Sequence, residues 1–100
     1  MFHPIPQEPA ASFTVTEPVI VGQPAVFKNN TTGQPPISYT WSFGDGYTST
    51  LPAPTHVYTQ AGNLVVGLTA VNAFGSSTVT HTIEAHLLLP SGFMPYVPKP

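Results

Sequence analysis

Ser38-Tyr39-Thr40-Trp41-Ser42-Phe43 is the segment on which the fold turns. Three aromatics alternate with three hydroxyl residues, the period of two expected of a strand with one face buried. Tyr39, Trp41 and Phe43 therefore share one face, and Ser38, Thr40 and Ser42 share the other. The strand runs directly into Gly44-Asp45-Gly46, where Asp-Gly supplies the positive-φ positions of a tight turn. Trp41, at the middle of the most regular alternation in the chain, reads as a core residue and not as an exposed sugar platform.

The segments on either side read as strands too, because Thr, Val and aromatics dominate and helix signals are almost missing. Ala11–Thr16 alternates Ala11, Phe13 and Val15 with Ser12, Thr14 and Thr16, and Glu17-Pro18 ends it. A second strand covers about Ala25–Asn30, followed by the turn-rich loop Thr31–Pro36. A short Tyr47–Ser49 strand follows the Asp-Gly turn. Leu51-Pro52-Ala53-Pro54 cannot be a central strand, since its prolines have no N–H for a ladder. Thr55–Tyr58 is a short strand or edge piece. The longest strand is Leu64–Asn72, with Leu64, Val66, Leu68 and Ala70 expected on the buried face. After the loop Ala73–Ser76 comes Ser77–Glu84, extending as far as Leu88. Here His81 falls between core positions Val79 and Ile83, a conflict that an edge position or a bulge would resolve.

About seven short strands joined by turns give an all-β fold, an antiparallel two-layer sandwich of immunoglobulin-like architecture. A Trp on the third strand suits that architecture. The chain has no cysteine. Apolar packing must hold the two sheets together without a disulfide. The same absence excludes a thiol nucleophile and an iron–sulfur site.

Composition narrows function further. Only 6% of the 100 residues are charged, and the net charge is -2. Lys28 and Lys99 are the only basic residues, so there is no footprint for nucleic acid or for an anionic membrane surface. No apolar run approaches the roughly 18 residues of a membrane-spanning helix. Glu8, Glu17, Asp45 and Glu84 are the only acids, too scattered for a glycosidase pair. No Gly-x-Ser-x-Gly elbow frames a nucleophile. Thr and Ser, 13 and 7 residues, must provide the polar surface instead.

Proline gathers at both ends: Pro4, Pro6 and Pro9, then Pro90, Pro95, Pro98 and Pro100. Fixed φ and a missing N–H make such segments extended, semi-rigid linkers. The chain thus divides into a linker over residues 1–10, a sandwich over residues 11–88 and a tail over residues 89–100. The first residues lack the basic start and apolar stretch of a secretory signal. Of the two readings, a cytoplasmic protein or a piece excised from a longer chain, the excised piece is preferred.

Tyr39-Thr40-Trp41-Ser42-Phe43-Gly44-Asp45-Gly46 resembles the signature of PKD domains, the immunoglobulin-like modules named for polycystic kidney disease. Pro54-Thr55-His56-Val57-Tyr58 with Ala61-Gly62 resembles the second block of that family, and Val66–Ser76 its third. The similarity extends over about Ala11–Ile83, and it is the blocks in order that make it specific. Two positions depart from the family pattern. Ser42 stands where Asp is frequent, which weakens a calcium proposal at the turn. Leu64 stands where an aromatic is usual; it fills core volume but donates no phenolic hydrogen bond. The resemblance implies a non-catalytic extracellular or cell-surface module without cofactor. It implies a spacer, adhesion or protein–protein interaction role beside neighbouring domains of the same polypeptide. The alternative is an accessory module of a secreted hydrolase that binds a glycan or protein ligand.

Within this frame Trp41, Phe43, Gly44, Asp45 and Gly46 form the structural motif. Asp45 reads as a turn-fixing carboxylate that accepts backbone N–H bonds, because a hard cation wants several oxygen ligands and none lies nearby in sequence. His56 is expected to make a backbone hydrogen bond. His81 and His86, five apart, fall on opposite faces of a regular strand and do not suit one metal. Tyr47, Phe74, Phe93 and Tyr96 are the candidates for an interaction surface, the last two in the tail. Asn29 and Asn30 both begin an N-glycosylation pattern.

Overall fold

The computed structural model describes residues 7–87. Eight strands follow one another: β1 (Phe13–Val15), β2 (Val19–Ile20), β3 (Pro24–Asn29), β4 (Ser38–Ser42), β5 (Thr48–Ser49), β6 (Thr55–Val57), β7 (Gly62–Asn72) and β8 (Gly75–His86). They form two sheets. One has three strands in the order β1-β3-β6, and the other has five in the order β2-β8-β7-β4-β5. The all-β sandwich expected from the alternation is therefore the observed fold.

Two details differ from the expectation. There is one more strand than expected, and it is β2. It pairs parallel to β8, with Val19 opposite Ala85 and Ile20 opposite His86, so the sandwich is not wholly antiparallel. A strand of two residues has no period to detect, and its partner lies at the far end of the chain. The first strand thus breaks at Glu17-Pro18, leaves the three-stranded sheet as β1 and joins the five-stranded sheet as β2. The loss of an N–H at Pro18 suits that change of sheet.

The core lies where the alternations meet. Trp41, Val66, Leu68 and Ala70 are fully buried, and Phe13, Phe27, Phe43, Tyr58 and Ile83 nearly so. Val65 and Val71 point outward from β7, as its apolar parity requires. Trp41 packs edge-on to Phe13 at 5.1 Å and tilted against Phe27 at 5.5 Å between ring centroids. Such aromatic pairs contribute about 0.5–1.5 kcal/mol beyond their buried area. The Trp41 indole N–H donates to the Leu51 carbonyl at 3.0 Å, so the one polar atom of the core ring is satisfied.

β7 and β8 form an unbroken ladder from Gly62 opposite Ala85 to Asn72 opposite Gly75. There is no bulge at His81. Its position is tolerated because β2 covers β8 only at Ala85 and His86, which leaves the outer edge beside His81 open among the described residues. The His81 ring packs edge-on to Phe13 at 4.8 Å. The edge reading is correct there, and the bulge reading is not.

The long hairpin also sets where the chain enters and leaves. Asn72, at its turn, donates to the carbonyls of Gln7 and Gln34. His86, at its open end, accepts from the Val21 N–H at 2.8 Å. The first and last described residues therefore lie at opposite ends of β7. Eleven residues at about 3.3 Å each make that strand roughly 35 Å long.

Candidate functional site

The signature strand delivers its turn onto β7. Gly44 has φ 89°, and a Cβ built there would lie 2.7 Å from the Val65 carbonyl oxygen. Only glycine allows both this backbone and this approach. The Gly44–Tyr47 loop is thereby pressed onto β7, and the Phe43 N–H closes it by donating to the Tyr47 carbonyl at 3.0 Å.

Asp45 works inside this loop. Its Oδ1 accepts the Tyr47 N–H at 3.2 Å. Its Oδ2 lies 2.7 Å from Nε2 of His56. Burial alone would raise the carboxyl pKa. The hydrogen bonds from His56 and Tyr47, with the attraction of His56, outweigh burial and hold it below the ordinary 3.8. Asp45 is therefore ionised at neutral pH and can only accept, which makes Nε2 of His56 the donor. The expectation of a backbone partner for His56 is corrected: its partner is this carboxylate. The correction has a geometric cause, since the Leu51–Pro54 crossover carries the chain from one sheet to the other and lands His56 beside the turn.

Aromatic rings enclose the pair. His56 stacks on Phe43 at 4.3 Å with 4° between the planes, and meets Tyr58 edge-on at 4.6 Å. Tyr47 lies tilted against its ring at 5.6 Å. The buried Tyr58 hydroxyl donates to the Phe43 carbonyl at 2.8 Å. Burial, and secondarily the charge of Asp45, pushes the Tyr58 phenol up, so it remains a donor. A period-two reading of Pro54, His56 and Tyr58 carries this signal, because Pro54 and Tyr58 are buried and His56 is partly so. The prolines upstream obscure it. Leu64 is partly buried and packs against the core cluster.

Beside the pair opens a cleft of about 370 Å³ lined by Asp45, Tyr47, Tyr58, Thr59, Gln60 and Asn63. Tyr47 is 65% exposed. Phe74 is also exposed, but it sits in the β7–β8 turn at the opposite end of the sandwich. Tyr47 and Phe74 therefore belong to separate surfaces. Phe93 and Tyr96 lie outside the described residues. Asn29 donates its amide to the Pro52 carbonyl at 2.7 Å and accepts from the Thr31 N–H, whereas Asn30 is exposed.

The chemistry of this arrangement is that of a clamp. Among the described residues no group of three or more His, Cys, Asp or Glu comes together. His56 is hydrogen-bonded to Asp45 and, among those residues, to no hydroxyl nucleophile. The carboxylate and imidazole hold a loop against a ring stack and leave Tyr47 outside it. No helix of the described residues is long and apolar enough to cross a membrane.

Known proteins share this architecture. The chain is 35% identical over 79 residues to a microbial collagenase of Vibrio alginolyticus, covering 75% of this chain and 10% of that protein. The chain thus spans a small part of that relative. The PKD1 domain of the Vibrio cholerae metalloprotease PrtV superposes with a TM-score of 0.69 at 36% identity, over 78% of this chain and 96% of that domain. A structure from work on the promiscuous specificity of carbohydrate-binding modules of the β-sandwich superfamily superposes with a TM-score of 0.75 at 34% identity. It covers 84% of this chain and 36% of that one. The PKD domain family model matches residues 6–87, nearly the whole sandwich. With the aromatic strand, its Gly-Asp-Gly turn and the two-sheet order in place, the chain belongs to the PKD domain family.

Proposed function

We propose that this chain is a non-catalytic spacer and interaction domain of a larger extracellular protein, with the segments before and after the sandwich serving as linkers. The observation that carries the reading is the placement of entry and exit at opposite ends of the long hairpin. A domain with this geometry separates its neighbours by the length of its sheets. The relatives agree in kind, since collagenase and metalloprotease chains contain such a domain as a small part of their length.

The same geometry sets how the domain answers tension. A pull on both ends draws β2 toward the β7–β8 turn and β8 away from it. Their parallel ladder is then loaded along the strands, so its hydrogen bonds must fail together and not one at a time. Stretching single molecules of a tandem array of this domain tests the reading. The expected record shows discrete unfolding steps; extension like that of a structureless chain would overturn it.

A second reading, an accessory ligand-binding module of a secreted hydrolase, is favoured by one observation. Tyr47 projects from a loop fixed by Asp45 and His56 and borders a polar cleft. A pure spacer has no need of an exposed aromatic ring on a loop fixed at its backbone. Binding of any ligand whose affinity depends on Tyr47 would separate this reading from the first.

A further inference from the structure

The structure assigns the cleft beside Tyr47 to a neutral sugar unit of a polysaccharide. The assignment rests on the accessory-module reading and gives its ligand a chemical class and an address. Four features of the cleft carry it.

The first is a platform. Tyr47 is the most exposed large apolar side chain of the described residues at 65%, and it is not loose. Its N–H and carbonyl are both engaged, by Asp45 and by Phe43. Tyr is amphipathic, rigid and entropically inexpensive to hold still, which suits it to the C–H face of a pyranose ring. The second is a set of polar groups around that ring. Asp45, Thr59, Gln60 and Asn63 line the same cleft. Planar amides offer donors and acceptors side by side, and the carboxylate has lone pairs beyond those used by Tyr47 and His56. Vicinal hydroxyls of a sugar need this combination.

The third is electrostatic. The cleft contains one carboxylate and no cationic side chain, so phosphate, sulfate and uronate ligands find no counter-charge. A divalent cation finds a single carboxylate among the lining residues, fewer oxygen ligands of that kind than a hard cation usually takes. A neutral polyhydroxylated ligand meets neither obstacle. The fourth is size. About 370 Å³ lies at the low end of the range for small-ligand sites, which fits one or two ring units and not a protein epitope. The larger cleft beside β2, about 530 Å³ and lined by Glu17, Glu84 and His86, has no aromatic platform.

The test uses the complete chain, labelled for amide NMR. It is titrated to millimolar concentration with cellohexaose, chitohexaose, xylohexaose and mannohexaose, and in parallel with polygalacturonate fragments and a gelatin peptide. The inference expects at least one neutral oligosaccharide to shift the amides of Gly44–Tyr47 and Thr59–Asn63, with weak affinity typical of a shallow site. Tyr47→Ala should weaken that binding roughly tenfold, and Asn63→Ala and Gln60→Ala by a few fold each, with unchanged melting temperatures. No shift with any neutral oligosaccharide, shifts confined to another surface, or wild-type affinity in Tyr47→Ala would overturn it. Binding of the gelatin peptide alone at Tyr47 would also overturn it, while leaving the accessory-module reading intact.

Discussion

The two ends of the sandwich solve one problem with different chemistry. At one end Asp45 accepts the N–H of Tyr47, two residues on. At the other Asn72 accepts the N–H groups of Phe74 and Gly75, two and three residues on. Both are side-chain mimics of a backbone turn. Their second functions diverge because their atoms differ. The Asn72 amide nitrogen can donate, and it reaches the carbonyls of Gln7 and Gln34, binding the entering chain to the hairpin. Asp45 has no donor when ionised, so it requires one from elsewhere and takes it from His56. A neutral amide fastens backbone to backbone at any pH; a carboxylate fastens a side chain and answers to protons. The clamp beside the candidate ligand cleft is thus the one of the two that can titrate.

Trp41 lies between the two ends and should break both together. Trp41→Ala removes the central ring and its bond to Leu51, and is expected to cost about 3–5 kcal/mol. Chemical denaturation should show one transition at lower denaturant; a loss below about 1 kcal/mol would mean the ends do not share a core. The next largest effect belongs to the amide end. Asn72→Asp removes both donated bonds and sets a negative charge against two carbonyls, with an expected loss of about 2 kcal/mol. Amide exchange should quicken around Ala10 and Gln34, whose N–H groups bond Thr32 and Gln7, before it does at Asp45.

Tyr58→Phe sharpens the other side. It keeps the ring but leaves the Phe43 carbonyl without its buried donor, at a cost of about 1–2 kcal/mol. The change should appear as faster exchange in Phe43–Tyr47 and not at the Asn72 turn. The smallest effect is the pH dependence. The Asp45 pKa is lower in the folded chain than the ordinary 3.8. The unfolded chain therefore takes up that proton first on acidification. The stabilisation from Asp45 is complete about a unit above the unfolded 3.8, begins to fall as pH nears that value, and is lost as pH drops through the lower folded value. Asp45→Asn should flatten the acid limb of the stability profile below about pH 5 relative to the parent chain, and Asn72→Ala should leave its slope unchanged. An identical acid slope in Asp45→Asn would remove Asp45 as the titrating clamp.

These contrasts also mark what the sequence discloses. The period of two in Ser38–Phe43 and the apolar parity of Leu64–Ala70 are local, so they survive without any knowledge of partners. They place Trp41, Val66 and Leu68 in the core directly. β2 escapes because two residues make no pattern and its ladder partner is some 66 residues away. Asn72 escapes for a similar reason: its donated bonds span 65 and 38 residues, and an Asn before a turn looks the same whether or not its amide is used. Asp45 is visible as a turn residue, but His56 is visible only as a histidine near prolines. Their meeting depends on a crossover between sheets, and no local signal encodes where that crossover lands.

The open outer edge of β8 has a consequence for the protein in concentrated solution. Among the described residues only Ala85 and His86 are capped by another strand, and from Gly75 to Thr82 the edge carries no Lys, Arg, Asp, Glu or Pro. Natural edges are usually guarded by charge or proline; this one presents hydroxyls. Attraction between two such edges would run through backbone hydrogen bonds, with Glu8 beside Gly75 and Glu17 in the groove by Thr82 as the carboxylates that border the stretch. That association should respond strongly to concentration and to denaturant and only weakly to salt. A single lysine at Thr80 would then do more than a change of ionic strength can.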